Sequence, residues 1–438
     1  MSADLLTLIM FGTMIVLLML GIPVAWTMGG IVVIITAWLW DFGALFTFIA
    51  TTYGVMMNIV LIAIPLFVLM GVLLERSGIA EDLFQMMYVW AGPVRGGLAM
   101  GVVVICAIFA AMSGLAAAAA VTMGLIGLPA MRKRGYIKDL AIGSVAAPST
   151  LGILIPPSVI MILLGLIGRI SVGGLFMAGM MPGLMIAALF IIYIGIRGLL
   201  QPQSCPAIRE KYSLKEKIMT IRSVILPMLV IISVLGSIFA GIATPTEAAS
   251  LGVVALFIAT AIHRRLNWEV VRKTSVETFR ITAMNMWIIF PALAFASLYT
   301  ALGGVDFVSG LLLGHEMPSW AVLGLIMGVV FILGMFIDPF AIIWLVGPLS
   351  FPIIAELGFD PTWFAILFVI NICIAYITPP FGVVLFFLRA IVPPDISMGD
   401  IFHSVWPFVA VMVVGLLLVA LFPQTALWLP NAMLRMRG

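Results

Sequence analysis

The sequence predicts an all-α polytopic membrane protein built as an inverted repeat, with two hairpin segments and two broken transmembrane helices. Three observations carry that prediction. Of the 438 residues 64% are hydrophobic and 9% charged, with a mean hydropathy of +1.29; a soluble globule of this size needs far more polar surface. Two long apolar segments each contain a proline pair, in GILIPPS (Gly152–Ser158) and YITPPFG (Tyr376–Gly382). The second proline of each pair lacks a backbone donor and its ring obstructs the preceding turn, so both helices break. Shifting the chain by 223 residues superimposes Pro156 and Pro157 on Pro379 and Pro380, Pro129 on Pro352, Gly135 on Gly358, Gly124 on Gly347, Met112 on Met335 and Gly101 on Gly324 without a gap. That shared spacing is an internal repeat.

Residues 4–20 and 24–40 are two apolar spans parted by Gly21 and Pro23, and a third crosses from Tyr53 to Leu74. The start lacks the basic region of a secretory signal and runs straight into apolar sequence, so it reads as a retained first helix. Glu81 to Arg95, with acids first and aromatics throughout, reads as an amphipathic arm helix lying on the membrane surface; together, residues 1–96 form the first group. From 97 to 131 the chain is apolar, interrupted by Ser113 and Gly114. Halves of about 17 residues reach roughly 25 Å, enough for two full crossings or for a re-entrant hairpin. MRKRGYIK follows, strongly basic and therefore cytoplasmic, and Arg95 precedes the segment. The broken span 139–168 then runs outward and 172–199 returns. Residues 200–222, with Arg209, Lys211, Lys215, Lys217 and Arg222, form a cytoplasmic connector between the halves.

The second half repeats the plan. Spans at 223–241 and 246–262 are joined by GIATPTEAA (Gly241–Ala249), where Thr244 or Thr246 can cap a helix with Pro245 and Glu247 in its first turn. His263–Lys273 is basic and lies inside; a span from Thr282 to Leu302 goes back out, completing a group over 223–317. The segment 318–357, broken at Gly334 to Pro339, is the twin of the first hairpin, but its flanks carry acids and no Lys or Arg. The twins therefore face opposite sides. A broken helix 361–392, a helix end at Pro393 and Pro394, a last span 405–429 and a tail 430–438 complete the chain. This topology puts every Lys and Arg inside except Arg169, Arg435 and Arg437.

Unpaired backbone groups in hydrocarbon cost several kcal/mol each, so broken helices persist only where protein, water or a ligand satisfies them. The breaks at Met112–Leu115, Leu151–Ser158, Gly334–Pro339 and Ile374–Gly382 correspond, and inverted repeats bring such breaks together near the midplane as a carrier site. Ser113, Ser149, Thr150, Ser158 and Thr378 offer hydroxyl oxygens there, Asn371 an amide, and Asp338 the one carboxylate in the middle of a spanning stretch. The hydroxyls can equally bond their own preceding turn, and Asp338 can cap the helix after Pro339. Oxygen-only ligands suit Na+ or a proton, not zinc or iron. Cys106, Cys205 and Cys373 are scattered, and His263, His315 and His403 lie near predicted ends or on polar connectors. The sequence has no GxxxxGK[ST] phosphate loop, no HExxH and no basic-aromatic surface domain for nucleic acid, so ATP hydrolysis through a P-loop, zinc-protease chemistry and nucleic-acid binding are not expected.

The blocks AAMSGLAAAAAVTMGLIGLPAMRKRGY, AAPSTLGILIPPSVIMILLG, FAGIATPTEAASLG and DPFAIIWLVGPLSFPIIAELGFDPTWFAILFVINICIAYITPPFG, together and in order, resemble the large membrane subunit of tripartite ATP-independent periplasmic (TRAP) transporters, over almost the whole chain. The resemblance implies a Na+-driven elevator-type importer of the ion-transporter superfamily in the bacterial inner membrane. It has no enzymatic activity and no organic cofactor. Two re-entrant hairpins and two broken helices form a transport domain (97–199 and 318–429) that slides against a scaffold (1–96 and 223–317). Implied partners are a small four-helix membrane subunit, here a separate chain, and an extracytoplasmic binding protein delivering a small organic acid.

Carried onto this sequence, the tip at Ser113 and Gly114 faces the break from Thr150 to Ser158. The tip at Gly334 to Asp338 faces Asn371 to Gly382. The resemblance places Na+ on Ser113, Gly114, Thr150, Gly152, Gly334, Asp338, Asn371 and Thr378, and substrate between the pairs on Ser149, Pro157, Ser158, Thr378 and Pro380. The sequence departs from the family where Leu115 replaces the second serine of a Ser-Gly-Ser tip and where Pro148-Ser149 stands in place of small residues such as Ala-Gly. A stand-alone Na+- or H+-coupled dicarboxylate carrier would keep the same breaks.

Overall fold

A computed structural model of the chain describes residues 2–40, 42–114, 116–207, 212–313 and 317–437, without the side chains at 42, 110, 112, 113, 222, 223, 226, 227, 313, 436 and 437. Leu115, Arg209, Lys211 and His315 lie outside the described residues, as do the side chains of Met112, Ser113, Arg222 and Arg437. The described elements are all helical. Among the described residues, seven helices are long and apolar enough to cross a membrane, or eight if one bent pair is a single span. The chain is a multi-pass membrane protein.

Helices α1 (Ala3–Met19) and α2 (Val24–Leu39) are parted at Gly21, whose φ of +81° a side chain would resist, and at Pro23. The crossing expected from Tyr53 to Leu74 is found over Ile59–Arg76, which includes α4 (Ala63–Arg76), while Tyr53 belongs to a separate helix, α3 (Phe46–Met56). Asn58 parts the two: its side-chain oxygen accepts from the Val60 amide at 3.0 Å and opens a tight turn over Ile59–Ile62. Hydropathy alone could not register this capping. The arm helix α5 (Ile79–Ala91) buries Ile79, Ala80, Leu83 and Val89 against its neighbours.

The next five helices are α6 (Gly97–Ser113), α7 (Ala116–Lys133), α8 (Lys138–Ser149), the single turn α9 (Leu151–Leu154) and α10 (Val159–Gly168). Helices α6 and α7 form the first hairpin, and α8–α9 is bent by 40° from α10 across Ile155–Ser158. Long α11 (Val172–Leu200) follows. Helix α12 (Leu214–Phe239) begins well before the expected 223, because Ser213 and Glu216 form a reciprocal capping box, so Lys215 and Lys217 are helical and not part of a loose connector. Thr244 and Glu247 make the same box at α13 (Pro245–Ile262), the structural role expected for that motif. Helix α14 (Trp268–Ala301) is 34 residues long; capped by Asn267, it absorbs most of the basic stretch expected to connect spans.

After α15 (Gly304–Leu313) come α16 (Ser319–Phe336), α17 (Pro339–Glu356), α18 (Pro361–Ala375) and α19 (Val383–Ile391). Shifted by 223 residues, α7 coincides with α17 at both ends, α6 with α16 at its C-terminus, and the start of α8 with that of α18. Thr150 and Cys373, themselves a pair at that offset, touch: the Cys373 thiol donates to the Thr150 carbonyl at 3.3 Å. The two broken helices meet at equivalent points of their own sequences.

The chain's end corrects a further expectation. The last span runs over α20 (Met398–Leu421), capped by Ser397 with Asp400, not over 405–429. Pro423 follows the break, and the supposed tail is helix α21 (Gln424–Arg437), which packs along α11. One clamp joins distant elements: the Arg265 guanidinium donates to both Asp82 carboxylate oxygens at 2.8 and 3.0 Å and to the Ser77 and Gly78 carbonyls. It ties the α4–α5 corner to the α13–α14 corner with a bidentate, charge-assisted contact.

Helices α8 and α20 approach closely at Gly143, where an added Cβ would lie 2.5 Å from the Ser404 carbonyl oxygen and against the Phe408 ring. We expect Gly143→Val to overpack this crossing by about 1–3 kcal/mol. A thermal melt of the detergent-purified protein should show a lowered midpoint; an unchanged one would refute the close approach.

Candidate functional site

The site is built where helices end inside apolar surroundings. Proline and glycine decide those ends. Gly114 terminates the first hairpin's leading helix with φ +61°, a left-handed conformation that favours glycine, and any Cβ there would stand 2.6 Å from the Pro157 carbonyl oxygen. The first tip therefore rests directly on the first break. A Cβ on Gly334 would come within 2.6 Å of the Ala375 Cβ, so the second hairpin closes on the second break in the same way. The peptide bonds Pro156-Pro157 and Pro379-Pro380 are both cis.

Four described hydroxyls at the breaks each donate to a carbonyl three to five residues back in the chain. Ser149 donates to the Ala146 carbonyl at 2.7 Å, Thr150 to Ala147 at 2.8 Å, Ser158 to Ile153 at 2.6 Å and Thr378 to Ile374 at 2.6 Å. All four residues are buried. Ser158 also accepts from the Met161 amide, capping α10. These bonds use each hydroxyl proton and leave oxygen lone pairs. The Asn371 amide donates to the Met327 carbonyl at 2.6 Å, bracing α18 against α16. Asp338 caps α17, its Oδ1 accepting from the Phe340 amide at 2.9 Å, while Oδ2 has no hydrogen bond among the described residues.

One cavity of about 340 Å³ gathers parts of both halves. Gly114 and Ala116 come from the first hairpin, Asp338 and Pro339 from the second, Ile153 and Tyr376 from the two breaks. Of the residues singled out in the sequence, Gly114 and Asp338 line it. Ser149, Thr150, Gly152, Pro157, Ser158, Gly334, Asn371, Thr378 and Pro380 are not among its lining residues, and the Ser113 side chain is outside the described residues.

The opposite wall is one that sequence reasoning missed. Helix α4 supplies Glu75 and Arg76 at its end, and α14 supplies Glu277, Ile281, Met284 and Asn285. The spacing of those four positions puts them on one helix face, a signal present in the sequence but hidden within a helix expected to start at Thr282. The cavity is thus walled by carboxylates, one guanidinium and an amide amid apolar side chains, an arrangement that fits a small polar solute.

The family model for the DctM component of tripartite ATP-independent periplasmic transporters matches residues 11–425. Among relatives, the chain is 34% identical over 372 residues to the C4-dicarboxylate TRAP transporter large permease protein DctM of Pseudomonas aeruginosa, covering 85% of this chain and 86% of that one. It is 31% identical over 434 residues to the ectoine TRAP transporter large permease protein TeaC of Halomonas elongata, covering 98% and 100%. The crystal structure of the YdaH transporter of Alcanivorax borkumensis superimposes with a TM-score of 0.63 at 15% identity over 90% of each chain, a likeness of fold alone.

Gly114→Ala tests the tip-to-break contact. A left-handed alanine costs about 1–2 kcal/mol, and its methyl must also displace Pro157. A melting midpoint several degrees below wild type is expected, whereas Gly328→Ala, inside α16 and meeting nothing within 4 Å, should not lower it.

Proposed function

The chain belongs to the DctM family of TRAP transporter large permeases, a family of binding-protein-dependent solute importers, and we propose that it carries a small organic acid anion across the bacterial inner membrane, driven by a Na+ gradient. The single observation behind this reading is the cavity where both hairpin tips and both helix breaks converge on one carboxylate, Asp338. Relatives named for dicarboxylate and for ectoine transport carry similar chains, so the family leaves the particular solute open.

In this proposal the two hairpins are re-entrant, and with the broken helices, α11 and α20 they make up a transport domain. The elements over 1–96 and 223–317 form the scaffold, with a separate four-helix membrane subunit seated on it. An extracytoplasmic binding protein delivers the solute. The transport domain slides against the scaffold as an elevator. The cavity reaches the end of α4, with Glu75 and Arg76, and Glu277 in the N-terminal third of α14; with that side cytoplasmic by the charge topology, our reading is an inward-facing state.

The residues present fit a Na+ ion. Asp338 keeps one carboxylate oxygen without a hydrogen bond, and Thr150, Ser149 and Thr378 keep hydroxyl lone pairs beside the interrupted backbone. Asp338, Gly114 and Gly334 would hold the ion at the tips, with Ser113, Thr150, Gly152, Asn371 and Thr378 behind them. Bound Na+ would supply positive charge that draws an anionic solute into the cavity. Substrate would lie between the tips, against the break residues Ser149, Pro157, Ser158, Thr378 and Pro380.

Reconstitution tests the reading. Proteoliposomes holding this chain and the small subunit should take up a labelled solute, chosen as one that raises the melting temperature of the binding protein, only when the binding protein and an inward Na+ gradient are both present. Na+-driven uptake that ignores the binding protein would favour a stand-alone carrier, and uptake indifferent to Na+ would sink the coupling. Asp338→Asn keeps a capping oxygen and removes the charge. Its melting temperature should stay near wild type while the Na+ concentration for half-maximal uptake rises at least about tenfold, the equivalent of about 1.4 kcal/mol; an unaltered Na+ dependence would remove Asp338 from the ion site.

A further inference from the structure

The wall opposite the hairpin tips holds a polar group that the fold leaves without a partner. Asn285 on α14 is fully buried and lines the cavity, and among the described residues neither its Oδ1 nor its Nδ2 has a hydrogen bond. It ends a stripe of buried hydroxyls on the same helix, Thr274, Thr278 and Thr282, each also unpartnered. The spacing puts all four positions on one face. A buried amide with both donor and acceptor unpaired carries the full cost of desolvation, where an aliphatic side chain of similar size would cost nothing. Such a group is explained by an occupant that pairs with it.

We infer that Asn285 binds the carried solute, and that this solute is a monocarboxylate bearing an N–H or O–H donor, not a dicarboxylate without one. This rests on the importer reading above. The amide Nδ2 donates to the solute carboxylate. The Oδ1 needs a donor, which a fully ionised dicarboxylate such as succinate lacks. Charge points the same way. Glu75, Glu277 and Asp338 surround the cavity against the one lining guanidinium, Arg76, and the proposed Na+, so little positive charge is left for a second carboxylate on the solute, while a hydroxyl or cationic amine needs none. Sites that hydrogen-bond a donor reject analogues lacking it far more strongly than apolar pockets discriminate by size.

The test uses the full chain with its small subunit and binding protein in proteoliposomes, with labelled ectoine and gluconate as donor-bearing monocarboxylates and succinate and fumarate as donor-less dicarboxylates. Wild type should accumulate a member of the first pair and neither of the second. Asn285→Leu should cut that uptake by about 10- to 100-fold. In detergent, its melting temperature should equal or exceed wild type, because the unpaired amide is gone; a purely structural asparagine would instead lower it on replacement. Asn285→Asp, isosteric but without the donor, should also lose carboxylate uptake. Undiminished uptake by well-folded Asn285→Leu, or accumulation of succinate or fumarate by wild type, overturns the inference alone. Wild-type liposomes that take up none of the four solutes overturn the importer reading for this chemistry, and the inference with it.

Discussion

Everything at the centre of this molecule depends on one obligation: a backbone group buried in an apolar environment must find a hydrogen-bond partner. Four helix ends are brought into the interior by Gly114, Gly334 and the two proline pairs, and other parts of the chain pack closely against them. Gly114 lies on Pro157, Gly334 on Ala375, and the Cys373 thiol reaches the Thr150 carbonyl. Remove the proline pairs and continuous helices would need no hairpin tips to meet them. The hairpin tips, in turn, close on the broken ends.

The contact between Thr150 and Cys373 has a geometric meaning. Two residues at the repeat offset that touch each other must lie beside any twofold axis relating the two halves. The helix bounds follow the same offset, closely at α7 and α17 and less so at α9, which has no separate counterpart after Ala375. The divergence is concentrated in the second break, where Tyr376–Gly382 stays irregular and Tyr376 turns into the cavity. The two halves share a frame, but the cavity they enclose is asymmetric, with its carboxylate on one tip and none on the other.

The breaks were legible in the sequence because proline and glycine act locally: their effect does not wait for tertiary packing. The hairpins were legible because Ser113-Gly114 and Gly334 to Pro339 divide apolar runs too long for one crossing. Helix ends were less well read. Ser213 with Glu216, Ser397 with Asp400, and Asn267 are local caps that extend helices past the edge of the hydrophobic run, and a reading weighted toward hydropathy stops where charge begins. Helix α21 went unseen because its apolar face is short and interrupted by Pro430. The cavity's far wall was hidden for a different reason: Glu75, Glu277 and Asn285 become neighbours only when α4 packs on α14, a contact that no local spacing encodes.

The distribution of satisfied and unsatisfied polar groups divides the site in a way that bears on how it could work. On the hairpin side, Ser149, Thr150 and Thr378 each bond a carbonyl of the helix they end, and Ser158 bonds Ile153 across the break within the same segment. Such groups carry their partners with them, so a body containing them can be displaced without exposing an unpaired donor. On the α14 side, Thr274, Thr278, Thr282 and Asn285 have none, and α14 is held to the arm corner by the Arg265 clamp at its N-terminal end. A stationary wall can keep unpaired polar groups if what passes it, solute or water, satisfies them in turn. In the proposed mechanism the internally bonded side moves and the unbonded side reads the cargo, because self-satisfied hydroxyls lower the cost of displacement and an unpaired amide makes passage depend on chemistry.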